Sequence, residues 1–257
     1  MKSFQLPPQI QLTASKVKSD GQQEINHQKR LLLTPVQAQP SCTAIIRKAT
    51  LDDIWQIYDL YKIVARVNRG NLTQEEDEIT LEYIREVLHQ GLVRGLILVI
   101  EIDNKIIGYL KAFTSEFRSL AHVLTHATMI IHPEYQSAGY GGQLVDTYLE
   151  EIKFSMPYIL RFELLPHQGN QKAIQFYQRH GFVQESLAQK KIRTIQGTFE
   201  PEVTLVWYNP KFSQDALAKY HTFLASCKSN ASSLTYLLKK TLKISRCLTK
   251  RADLSSQ

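Results

Sequence analysis

Cysteine is scarce: the 257 residues hold three, Cys42, Cys227 and Cys247, too far apart for any metal-ligand spacing. They read as free thiols of a reducing compartment, so a cytosolic protein without a bound metal is expected. Export without a cleaved signal stays open as the alternative. Long apolar runs are missing too, and no window approaches the roughly 18 residues of a membrane span. The opening stretch "MKSFQLPPQIQLTASKVKSDGQQE" has no apolar core of a signal peptide. Acidic excess is absent, the net charge being +7, and that charge is unevenly spread. Nine Lys/Arg against Asp215 and Asp253 place all of it beyond Tyr208. An anionic partner of the whole protein is therefore to be sought at the tail.

What is present, 43% hydrophobic residues, is ample for a core. Residues 1–41 are a polar arm rich in Gln, Ser, Lys and Pro, able at most to add an edge strand through "RLLLTPV". A compact domain is expected over 42–208. It opens with the strand "TAIIRKA" and a helix from Thr50, whose Ile54, Ile57, Tyr58 and Tyr61 share a face. A second helix is expected from the Thr73/Glu76 capping box to about His89. Strands 96–102 and 105–114 flank the hairpin signal Asp103-Asn104. Strand 125–132, helix 140–154, strand 157–165, a helix from Asn170 capped by Gly181, and a closing hairpin complete the domain. The reading is β-α-α-β-β-β-α-β-α-β-β, an α/β (α+β) mixed sheet with helices packed on it. Residues 209–257 form a basic helical extension. In its second stretch Leu234, Leu237, Leu238, Leu242 and Leu248 oppose Lys239, Lys243, Arg246 and Lys250. Such a helix can lie on the domain, on a second subunit or on an anionic surface of membrane or nucleic acid.

Glycine is also sparse, 11 in all, yet Gly139, Gly141 and Gly142 fall together where a helix should nucleate. A glycine inside a helix costs about 0.5–1 kcal/mol relative to alanine. Free amides at a helix N-terminus make an anion site, and side chains there would block a pyrophosphate. The alternative is a glycine turn that packs tightly. The spacing fits neither the Gly-Lys-Ser/Thr phosphate loop nor G-x-G-x-x-G.

It fits Gln/Arg-x-x-Gly-x-Gly, with Gln136, Gly139 and Gly141 in register. A second motif, "NQKAIQFYQRHGF", matches Asn-x-x-Ala-x-x-x-Tyr-x-x-x-Gly-Phe at Asn170, Ala173, Tyr177, Gly181 and Phe182. Positions 170, 173 and 177 share one helical stripe. Together the motifs resemble the GNAT superfamily of acyl-CoA-dependent N-acyltransferases over residues 42–208, the "QSAGYG" form being similar to the histone acetyltransferase branch.

The resemblance implies a GNAT fold, a mostly antiparallel sheet splayed between its fourth and fifth strands. It implies acetyl-CoA as cosubstrate and transfer of the acetyl group to a primary amine of a protein or small molecule by direct attack. Carried over, the pyrophosphate would sit on the amides of Ser137, Ala138, Gly139, Tyr140, Gly141 and Gly142, with Gln136 beside them. The pantetheine arm would pair with Met129, Ile130 and Ile131 and pass Asn170 and Ala173. The Met129 N–H would face the thioester oxygen, and Tyr177 would protonate the leaving thiolate. Relatives of the histone type place a glutamate base early in the fourth strand. Here that position is Thr125, which is no base; a water relayed from it is one alternative. His122 precedes the strand, and alternation puts His126 on the opposite face. Glu163, across the splay, is the best-placed carboxylate, its alternative being an ordinary strand acid. The missing glutamate also leaves open an acyl-CoA-binding sensor or scaffold with little catalysis. In this family the acceptor is selected by the loop between the first two helices and by the last hairpin, here "VNRGNLTQEEDE" and "AQKKIRTIQGTFEPE".

Overall fold

The computed structural model describes residues 44–70 and 72–229. The expected arm and the leucine-rich second helix of the tail lie outside them. Seven strands and five α-helices follow the expected order. They are β1 (Ile45–Lys48), α1 (Ile54–Val67), α2 (Leu81–Arg94), β2 (Gly95–Ile102), β3 (Lys105–Thr114), β4 (Val123–Ile131), α3 (Tyr140–Ser155), β5 (Arg161–Leu164), α4 (Gln171–Arg179), β6 (Val183–Arg193), β7 (Phe199–Tyr208) and α5 (Gln214–Ser229). The strands form one sheet in the order β1-β2-β3-β4-β5-β7-β6. Every pairing is antiparallel except β4 with β5, which is parallel.

Helices cover both faces, so the central strands bury both of theirs and read as continuous apolar runs. On one face α3 and α4 pack Leu144, Tyr148, Ile152 and Tyr177 against Leu98, Leu110 and Phe162. On the other, α1 and α2 pack Ile57, Tyr61, Ile84 and Leu88 against Val99, Tyr109 and Ile130. The five residues of α3 that face the core are Leu144, Val145, Tyr148, Leu149 and Ile152. The Asp103-Asn104 turn has φ of 50° and 62°, the double left-handed geometry of a two-residue hairpin. Gly181, at φ 86°, ends α4, and the Phe182 amide returns to the Tyr177 carbonyl at 3.2 Å.

Two local expectations fail. The capping box lies at Glu75/Glu78, where the Glu75 amide donates to Glu78 Oε2 at 2.9 Å, and it starts only a short 3-10 turn. α2 itself begins at Leu81, capped by the Thr80 hydroxyl, and runs to Arg94. Thr73 is not the cap because six hydroxyl- or carboxyl-bearing side chains crowd residues 73–80, and only Thr80 immediately precedes the amphipathic repeat. The second failure is in β4. Thr128 pairs with Lys111 and Thr125 with Phe113, so β4 carries one extra residue there. His126 sits in that bulge at φ 53°. Simple alternation therefore does not hold across it.

α5 docks on the segment between α3 and β5. Tyr220 stacks on Tyr158 at 3.9 Å between centroids, and Leu217 is buried. Buried Asn209 donates to the Ile159 carbonyl at 2.9 Å.

Candidate active site

The parallel pairing of β4 with β5 covers only Val123–Arg161 and Leu124–Phe162. From Thr125 onward β4 has no neighbour on that side, and a wedge opens between the two strands. The wedge exposes main chain at defined positions. The His132 amide donates to the Ile107 carbonyl at 2.8 Å, toward β3. In an antiparallel ladder the main-chain groups of successive residues point to alternate sides. Ile131 and Met129 therefore turn theirs toward the wedge, while Ile130 bonds to β3. The Ile131 carbonyl confirms this direction by accepting from Gln136 Nε2 at 3.0 Å. Gln136 thus ties the glycine corner to the end of β4.

The corner closes the wide end of the wedge. Ser137 has φ 64° and Gly139 φ 88°, the latter standing as N-cap of α3. Tyr140, Gly141 and Gly142 are its first three residues, whose amides have no carbonyl four residues back to receive them. A methyl group built on Gly139 would meet nothing within 4 Å. On Gly141 the nearest atoms would be Phe176, Ile131 and Met129 at 3.7–3.9 Å, and on Gly142 the His180 ring at 3.6 Å. These are ordinary contacts. The tight-packing explanation fails, because the protein itself leaves room for a side chain at Gly141 and Gly142, while Gly139 is set apart by its left-handed φ.

α4 flanks the wedge from the same face. Asn170 caps it, its Oδ1 accepting from the Ala173 amide at 3.1 Å. Ala173 is half-buried, and Tyr177 lies in the core, edge-on to Phe176 and Phe182. Burial pushes the Tyr177 phenol well above its ordinary range, so it remains a donor. His180 is unforeseen from the motifs. Its Nδ1 lies 2.7 Å from Asp146 Oδ1, linking α4 to α3 beside Gly142.

The opposite face holds the groups able to move a proton. Phe162 belongs to the α3/α4 core, so alternation along β5 turns Glu163 to the α1/α2 side. Arg161 Nε lies 2.8 Å from Glu163 Oε1, though not aligned for a hydrogen bond, and Arg161 Nη2 bonds Glu185 at 2.7 Å. The bulge brings His126 to this side as well, stacked on Phe113 at 5.0 Å. Alternation had assigned it to the other. His126 is held below the ordinary imidazole value by partial burial and by the charges of Lys111 and Arg94, with Glu163 acting in the opposite direction. Lys111, which no motif marks, is 5% exposed and donates to the His126 carbonyl at 2.6 Å. Its ammonium also lies 4.9 Å from the Phe113 ring centre. Burial without a counter-ion lowers it to about 8.

Beyond the wedge a groove of about 450 Å³ runs between the α1–α2 loop and the β6–β7 hairpin. Residues 94–184 match the family model described as "Acetyltransferase (GNAT) domain". The fold is a GNAT fold. No curated protein matches the sequence. Among solved structures, a GNAT-family acetyltransferase from Streptococcus pneumoniae is 21% identical, with a TM-score of 0.58 over 65% of this chain and 99% of its own. A putative acetyltransferase from Salmonella typhimurium with its cofactor acetyl-CoA is 15% identical, TM-score 0.57, covering 65% and 94%. A phosphinothricin acetyltransferase from Sinorhizobium meliloti in complex with acetyl-CoA is also 15% identical, TM-score 0.57, covering 66% and 91%. In this fold the wedge, the glycine corner and α4 lie around one opening. Thr125, Glu163 and His126 face it from the other side. No helix among the described residues is long and apolar enough to cross a membrane.

Proposed function

We propose that this chain is an acetyl-CoA-dependent N-acetyltransferase acting on a primary amine, with residues 42–208 as its catalytic domain. One observation carries the reading: a helix N-terminus whose glycines could accept side chains without collision, placed at the mouth of a wedge of unpaired main chain. Bare amides kept clear by sequence, and not by packing, fit a ligand of diphosphate type. The family match over 94–184 and the acetyl-CoA-bound neighbours support it.

The amides of Ser137 to Gly142 would hold the diphosphate, and the outward main chain of Met129 and Ile131 the pantetheine arm, with Asn170 and Ala173 alongside. Acetyl-CoA supplies an activated acetyl thioester. The Met129 N–H donates to the carbonyl oxygen as negative charge develops there, a contribution of about 3–4 kcal/mol in comparable sites. Tyr177, protonated throughout the working range, donates to the departing sulfur. An alkylammonium has a pKa near 10.4, so a base must free the attacking nitrogen. Glu163 is the carboxylate we assign to this face. His126, neutral because its charged form is disfavoured, stands ready to take the proton directly, with Glu163 stabilising the imidazolium.

Thiol release from acetyl-CoA by the full chain with a panel of amines tests the proposal, alongside calorimetric titration with CoA. Amine-dependent release is expected. CoA binding without release for any amine favours the binding-module reading, for which Thr125 in place of a carboxylate and Arg161 beside Glu163 speak. No CoA binding removes both.

A further inference from the structure

The groove beyond the wedge is built from both halves of the sheet. Its near wall is the loop between α1 and α2, helices that pack on β3 and β4. Its far wall is the β6–β7 hairpin, which extends the sheet from β5. The two walls meet where Ile195 comes within 3.9 Å of a methyl group built on Gly70. His167, three residues past the end of β5, lines the groove, so one end of it lies at the β5 side of the wedge. The volume of about 450 Å³ lies in the range of small-molecule sites.

Its charged lining is mixed: Arg69, Lys191 and Arg193 against Glu75 and Glu200, with His167 beside Glu200. The charges are not equally available. Glu200 takes the Gly169 amide at 3.1 Å and lies 3.3 Å from His167. Lys191 stands 4.0 Å from Glu202. Arg69 and Arg193 form no ion pair among the described residues; the Glu76 carboxylate is held by Arg66 at 2.7 Å and interacts with Arg69 only at longer range. The hairpin contributes to this arrangement through a register break between Ala188 and Ile192, with Lys190 left-handed at φ 54°. That break sets which side chains of β6 reach the groove. Two guanidinium groups left unpaired in one groove are a ready receptor for a planar anion. Glu75 offers the complementary attraction for an amine.

Resting on the N-acetyltransferase reading, we propose that the acceptor is a small amine that also carries a carboxylate or similar oxyanion, held by Arg69 and Arg193. An amino acid or a short amino-acid derivative has this chemistry. Its anion binds in the groove and its amine reaches toward the wedge.

The test compares the standard amino acids with their α-carboxamides, which keep the amine and lose the anion. Thiol release by the full chain is expected to be at least about tenfold more efficient with one or more acids than with the matching amide, one charge-assisted bidentate contact sufficing for that factor. Arg69→Gln and Arg193→Gln should each raise KM for that acid by about tenfold while leaving KM for acetyl-CoA unmoved. Equal use of acids and amides, or preserved discrimination in both variants, overturns the proposal. So does acetylation of long peptides with no short acid accepted. Should no amine release thiol, the same acids are titrated calorimetrically onto the CoA-saturated protein. Heat that both arginine variants abolish sustains the groove assignment while the catalytic reading fails; no heat with any acid overturns the assignment. Failure of CoA itself to bind sinks the acyltransferase reading. The acids are then titrated onto the protein alone, where heat lost in both variants sustains the groove and its absence overturns it.

Discussion

The Lys111 ammonium donates to the His126 carbonyl at 2.6 Å, at the point where β4 bulges and parts from β5. A buried cation with no carboxylate partner is costly, and this hydrogen bond fastens the extra residue of the bulge. His126 in turn stacks on Phe113, over which the ammonium lies. Lys111 thus positions the imidazole through its backbone and its ring neighbour together.

Replacement of Lys111 by Met should separate position from stability. The lost charge-assisted bond, about 1.5–3 kcal/mol, is largely offset by relief of the desolvation penalty, so denaturant midpoints should move little near pH 7. Catalytic efficiency in thiol release should fall about tenfold as the bulge loosens. The pH dependence has a definite sign. Lys111 titrates at about 8 when folded and near 10.5 when unfolded. Between those values the unfolded chain binds the extra proton, so stability gains with rising pH. Relative to Lys111→Met, the natural protein should gain about 1.4 kcal/mol per pH unit from about pH 8 to 10. A flat difference curve rejects the buried cation.

Gly141→Ala should distinguish ligand from packing. The added methyl meets only ordinary contacts, and alanine is the better helix former by roughly 1 kcal/mol, so thermal stability should hold or rise. Calorimetric affinity for CoA should fall at least about tenfold. Gly139→Ala differs, since its φ of 88° makes any side chain strained by about 1–2 kcal/mol. Unchanged CoA affinity in both would dissociate the corner from the cofactor.

Tyr177→Phe keeps the ring in its aromatic cluster and removes only the hydroxyl. Turnover should drop by about a hundredfold or more, the low end of the usual span for a proton-donating group, with KM for acetyl-CoA within about twofold. Equal turnover would take the phenol out of the mechanism.

The proton acceptor can be identified from the acid limb of the pH–rate profile. If His126 takes the proton, the limb lies below the ordinary imidazole value, and His126→Ala removes it. Glu163→Gln deletes the charge that favours the imidazolium, so the limb should move to still lower pH. Should Glu163 be the base, Glu163→Gln abolishes the limb and His126→Ala leaves it in place.

Asp53 anchors β1 to α1 and predicts an acid-sensitive element away from the chemistry. Burial alone would raise its pKa, but both Arg47 nitrogens at 2.8 Å and the Thr50 amide at 2.7 Å hold it below 3.8. The carboxylate therefore stabilises the fold above its unfolded pKa, and the contribution disappears as pH drops through the lower folded value. Asp53→Asn should cost about 2 kcal/mol near neutrality and progressively less in acid, read by denaturant titration.

Local rules were enough for the element order, the inward residues of α3, the Asp103-Asn104 turn and the glycine corner, since each depends on residues a few positions apart. The two motifs likewise mark Asn170, Ala173 and Tyr177, which lie on one helical stripe whatever surrounds them. The cap of α2 escaped because several capping residues compete locally and only packing chooses among them. His126 and Lys111 escaped more deeply, whereas Glu163 is already the carboxylate that the sequence singles out across the splay. The face His126 presents depends on one bulge, set by the match between strands β3 and β4, and a period-two pattern cannot reveal an inserted residue. Exposure follows the same division: a lysine in a strand reads as solvated until the helices that bury it are placed. The chain's letters determined what the site is made of, through short-range sterics and periodicity. Only the assembled sheet decided which of those groups meet, because register and burial are properties of neighbours far apart in sequence.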